Sequence, residues 1–114
     1  MDTTALKSAT LVGTALQLAM VVAGHFMPAI SAGFALGGMG ISALAGWLFA
    51  RRGAPGWGGA IGGGAIAGGV CAVIGIGVSV ALGDVPPSLL LLGTSASIIT
   101  GMIGGAIARL GRRR

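Results

Sequence analysis

Residues 57–82 read WGGAIGGGAIAGGVCAVIGIGVSVAL, 26 positions without a charge and with nine glycines. In water this would be a poor helix, because each Gly costs roughly 0.8–1 kcal/mol against Ala. In a bilayer the backbone must satisfy its own hydrogen bonds, so an apolar run of this length is driven into a helix. The glycines then become contact surface, since two backbones lacking Cβ atoms can approach closely. Gly58 and Gly62, Gly59 and Gly63, and Gly64 and Gly68 all stand four residues apart. The stretch is expected to be the hub of a membrane bundle. Gly62 and Gly69 are assigned to close helix contact, Ile66 and Val70 to the bulkier flank, facing lipid or loosely packed.

The rest of the 114-residue chain agrees with a membrane setting: 54% of it is hydrophobic and 8% charged. A soluble domain is nearer 25% charged. Mean hydropathy is +0.98. Ser8 to Ala50 form 43 residues with no formal charge, about 65 Å as one helix at 1.5 Å per residue. The hydrocarbon core is about 30 Å thick, so this run must fold back once. His25-Phe26-Met27-Pro28 is the break, because proline suits a first turn and not a helix interior. Arg51-Arg52-Gly53-Ala54-Pro55-Gly56 makes the next turn, and Gly83-Asp84-Val85-Pro86-Pro87 the last. The expected spans are therefore 8–26, 29–50, 57–82 and 88–108, in one domain covering 1–114.

Charge sets the orientation. Lys7, Arg51, Arg52, Arg109, Arg112, Arg113 and Arg114 are all seven cations of the chain, and all fall at one end of the expected bundle. The turns holding His25 and Asp84 have none. Positive charge stays in the cytoplasm, so both termini are expected there, and a bacterial inner membrane is the expected location. Trp47 and Trp57 flank the Arg51-Arg52 turn and, with the arginines, mark that interface. In a soluble protein a net charge of +5 would suggest nucleic acid; here the arginines sit at the ends of apolar runs, and the expected partner is anionic lipid headgroup. A cleaved signal peptide ending near Ala32 is the rival reading of the first span, although the start is weakly basic and the apolar run continues beyond it.

Small residues recur at helical spacing in other spans: Gly33, Gly37, Gly38, Ser42 and Gly46 in the second, and Gly93, Ser97, Gly101 and Gly105 in the fourth. With Gly58, Gly62 and Gly69 they are the expected helix-packing positions, within the chain or in a homo-oligomer, the remaining reading being glycine-lined walls of a pore. Gly38, Met39, Ala43 and Ala45 recur 63 positions later as Gly101, Met102, Ala106 and Ala108, a number of matches that a Gly- and Ala-rich composition can supply unaided. Lys7, Thr10, Thr14 and Gln17 step along one face of the first span. The Gln17 amide, near mid-membrane, needs a partner, and either a neighbouring helix or a polar path can provide one.

Catalysis has little to work with. Asp2 and Asp84 are the only acids, His25 the only histidine and Cys71 the only cysteine. His25 and Asp84 lie in turns at the same end, too few groups for a metal. Cys71 lies deep in an apolar helix, where a thiol packs as a small hydrophobe. The glycine runs have no GK[ST] and no preceding strand, so they are not a nucleotide loop.

In size and span number the chain resembles the small multidrug resistance transporters. That resemblance implies proton-coupled cation export through a first-span glutamate, where this chain has Thr14 and Gln17 and no Glu at all. It is similar in size to the four-span fluoride channels, without their polar pore motifs or paired phenylalanines. The third span alone is similar to glycine-zipper membrane proteins. The residues support an all-α, four-span bundle of two antiparallel hairpins, with no catalytic residues, metal or cofactor. The expected role is a non-enzymatic packing or interaction component of a membrane assembly. The alternative is a small oligomeric channel or facilitator lined by Lys7, Thr10, Thr14 and Gln17.

Overall fold

A computed structural model of the chain describes residues 3–27, 33–53 and 56–112, the side chains of 34–36 and 112 excepted. It is all-helical, with α1 (Thr3–Phe26), α2 (Phe34–Gly53), α3 (Trp57–Ala81) and α4 (Ser88–Arg112). Among the described residues α1, α3 and α4 are long and apolar enough to cross a membrane, which makes this a membrane protein. The second helix is shorter, 20 residues. The bundle measures 43 × 21 × 21 Å, its length close to the roughly 40–45 Å of a bilayer with its headgroups.

Helix bounds differ from the hydropathy limits where packing or charge extends them. The first helix starts at Thr3, not Ser8, because Ala5 and Ala9 on its first turns pack into a cluster with Phe49, Ala50, Ala60 and Ala108. The second runs on through Arg51-Arg52, and the fourth through Arg109. Arginine is a good helix former and favours a helix C-terminus, where the dipole is negative. The expected start of the second span at Ala29, Pro28, the Ala54-Pro55 turn, the Arg112 side chain, and Arg113 and Arg114 lie outside the described residues. The third helix ends on Gly83, whose φ of +78° is the left-handed region that glycine tolerates. There the Asp84 amide donates to the Ser79 carbonyl and the Gly83 amide to that of Val80, both at 3.0 Å, a Schellman stop.

Every pair of helices packs together except α1 and α4, which barely touch. Thus α2 and α3 form the inner diagonal, and α1 and α4 the outer corners. Ser8 meets Arg52 at one end, and His25 meets Asp84 at the other, so successive helices alternate in direction. The interior is built of small residues. Ala45, Ala60, Ala67 and Cys71 are wholly buried, and Phe49 is the largest fully buried side chain. Leu11, Leu91 and Ile99 point outward, the arrangement expected where hydrocarbon is the solvent and close helix approach holds the bundle.

Candidate functional site

The closest helix contacts lie on the half of the bundle that carries Trp47 and Trp57. A methyl at Gly46 or Gly64 would fall on the Gly101 carbonyl, one at Gly101 on the Gly64 carbonyl, and one at Gly105 on the Ala60 carbonyl. At Gly68 it would stand 2.8 Å from the Ser97 carbonyl oxygen. At Gly63 it would enter the Phe49 ring. Backbone meets backbone along α2, α3 and α4, and Phe49 is the large side chain that this half takes in, against Gly63.

The contact face of α3 is therefore Gly63, Gly64 and Gly68. Gly58 and Gly62, assigned by sequence to close packing, lie outside it: a methyl at either meets nothing within 4 Å among the described residues. The reason is phase. Residues 58–64 are small nearly all round, so sequence spacing does not distinguish one side of the helix from the other, and one residue rotates the face by about 100°. A methyl at Gly69 would stand 2.8 Å from Ile98 Cγ1, a side-chain contact with α4. Gly38 lies against Gln17 and Met20, and Gly93 against Ile76. Ser42 and Ser97 are buried.

The polar stripe of α1 divides. Lys7 is exposed, Thr10 and Thr14 are half-buried, and Gln17 is 2% exposed. Gln17 shares its buried face with Ala5, Ala9, Gly13 and Val21, a small-residue ladder at four-residue spacing that the polar residues concealed. Its Nε2 donates to the Gly38 carbonyl at 3.1 Å and lies 3.4 Å from Ser42 Oγ and 3.8 Å from Cys71 Sγ. Ser42 Oγ donates to the Gly68 carbonyl at 3.2 Å, and Cys71 Sγ to the same oxygen at 3.3 Å. This network ties α1, α2 and α3 together at mid-bundle. Cys71 takes part in it, a role its apolar sequence setting did not suggest.

Beyond the network, toward the His25–Asp84 end, the helices separate around a cavity of about 340 Å³. Met20, Met39, Ile76, Leu89 and Leu92 give it apolar walls, and Gln17, Ser79 and Ser97 contribute its polar residues. The hydrogen bonds of Gln17 all run through Nε2 and leave Oε1 available. The Ser79 hydroxyl, in a residue 2% exposed, is buried without a hydrogen-bond partner. The sequence reading passed over Ser79, whose only signal is a lone hydroxyl in the apolar second half of α3.

At this end of the bundle His25 Nδ1 lies 2.9 Å from Asp84 Oδ2. The α4 amides of Leu89 and Leu90 bond instead to the Pro86 and Pro87 carbonyls, so Asp84 clasps α1 rather than capping α4. At the opposite end Arg51 stacks on Trp47 with 4.9 Å to the ring centre, and Arg109 on Trp57 with 5.5 Å. In both pairs the guanidinium lies over an indole face, a cation–π arrangement. Among the described residues no group of three His, Cys, Asp or Glu gathers in one place. Comparison with protein-family models, curated proteins and solved structures finds no match.

Proposed function

We propose that this chain is a non-enzymatic interaction component of a membrane assembly. It spans the bacterial inner membrane four times with both termini in the cytoplasm, and it associates with a second copy through the outward side of α3. The observation that carries this is the position of Gly58 and Gly62. Glycine weakens a helix, and in a bilayer the compensation comes from close approach of another backbone. Among the described residues Gly58 and Gly62 meet no such backbone in their own bundle. They share a helix face with Ile66 and Val70, which are 45% and 41% exposed. That face offers a flat approach near the Trp57 end and apolar ridges further along it. Arg51, Arg52, Arg109 and the terminal arginines contact anionic headgroups on the cytoplasmic side in this reading.

The facilitator alternative, with Lys7, Thr10, Thr14 and Gln17 lining a path, has less support. The Gln17 amide nitrogen is engaged by α2 and α3, and the glycine seam packs backbone on backbone beyond it. The test is the Gly58→Ile/Gly62→Ile double variant, sized by light scattering in mild detergent and by crosslinking in vesicles. The wild type should run as an oligomer, and the variant as a monomer of unchanged helix content. A monomeric wild type, or a variant of the same oligomeric size, overturns the reading.

A further inference from the structure

The cavity at the His25–Asp84 end is not accounted for by a packing role. Helix contacts in a bilayer are held by dispersion, and a hollow of 340 Å³ forfeits it over a wide surface. The two polar atoms beside it stand out more than its size. Gln17 Oε1 lies 3.3 Å from the position a Gly75 methyl would take. Ser79 is one turn further along α3, about 5.4 Å. Ser79 Oγ is buried without a protein partner among the described residues, although a serine in a helix can ordinarily bond the carbonyl four residues back; the hydrogen bonds of Gln17 all run through Nε2 and leave Oε1 available. A polar atom buried among apolar groups without a hydrogen bond is costly.

We propose that the cavity binds a small uncharged amphiphile, a hydrocarbon body carrying one hydroxyl. The hydroxyl donates its proton to Gln17 Oε1 and accepts that of Ser79 Oγ, which a rotation about χ1 turns from its buried position into the cavity. The hydrocarbon body lies against Met20, Met39, Ile76, Leu89 and Leu92. Among the described residues no charged side chain lines the cavity, so an ionic ligand would be buried without a counter-charge, which is strongly unfavourable. Size sets the upper limit. A cavity of about 150 Å³ takes benzene, so this one accommodates a molecule of roughly twelve non-hydrogen atoms by the same scaling. A medium-chain alcohol meets all three requirements.

The test uses the full chain in lipid nanodiscs with carbon-13 methyl-labelled methionine, titrated with 1-decanol and, separately, with decane. Met20 and Met39 line the cavity, and Met102, on α4 and outside the lining, is the internal control. Decanol should shift the Met20 and Met39 methyls saturably and leave Met102 in place. Ala96→Leu, which fills the cavity from α4, should abolish the shift. Ser79→Ala should weaken decanol roughly three- to tenfold, the range of one hydrogen bond, and leave the decane response unchanged. Because the Ser79 hydroxyl has no partner to lose, this variant keeps the fold and remains informative even if Ala96→Leu does not assemble. An absent or non-saturable shift overturns the proposal. So does decane binding as well as decanol with no effect of Ser79→Ala, which would make the hollow a place for any hydrocarbon chain.

Discussion

Two single-methyl substitutions on neighbouring positions of α3, Gly64→Ala and Gly62→Ala, should differ sharply. A Cβ at Gly64 falls on the Gly101 carbonyl oxygen, in the middle of the α3–α4 seam, and the atom it strikes is backbone. Restoring an ordinary contact of about 3.5 Å requires the two helices to part by about 1 Å. A gap of 0.5–1 Å forfeits a quarter to a half of each dispersion well of about 0.15 kcal/mol. Over about 40 atom pairs along the seam, the loss is roughly 1.5–3 kcal/mol. The methyl at Gly62 meets nothing within 4 Å and costs none of this. Both variants gain the same helix propensity of up to about 1 kcal/mol, so the gain cancels in the comparison. The assay is reversible unfolding in mixed micelles of increasing SDS content, followed by far-UV circular dichroism at dilutions where the chain is monomeric. Gly64→Ala should be less stable than Gly62→Ala by roughly 1.5–3 kcal/mol. Equal stabilities within about 0.5 kcal/mol, the size of ordinary surface effects, would refute the seam as the source of cohesion.

The same unfolding measurement on Gln17→Leu should show a loss of roughly 0.5–2 kcal/mol, since the amide joins three helices and interhelical hydrogen bonds in bilayers are modest; an unchanged stability would mean that the network does not hold α1. For topology, cysteines placed singly in a Cys71→Ala background should label from outside at Val85 and only after permeabilisation at Gly111, as the one-sided cations require; the reverse pattern would invert the orientation.

Much of the architecture was legible in the sequence because it depends on single residues. An uncharged apolar run prefers hydrocarbon wherever it sits in a chain, and Pro and Gly at 83–87 break it for local reasons. The Trp57–Ala81 helix, the Ser88 start and the grouping of Arg51, Arg109, Trp47 and Trp57 at one end follow from that. The helix ends at Thr3 and Gly53 did not, because packing and dipole rather than hydropathy extend them.

Only the tertiary structure decided which side of a helix matters. Residues 58–64 look alike from every direction, and the partner backbone at Gly101 selects Gly64 and leaves Gly62 facing outward. Phe49 is buried because Gly63, on another helix, leaves room for its ring. The Gln17 amide had an evident need in the sequence, but its partners Ser42 and Cys71 stand 25 and 54 residues away. The unpartnered Ser79 hydroxyl and the cavity beside it belong to no single helix. Hydropathy is a property of one residue in its solvent; contact, clash and void are properties of pairs that the fold brings together from distant parts of the chain.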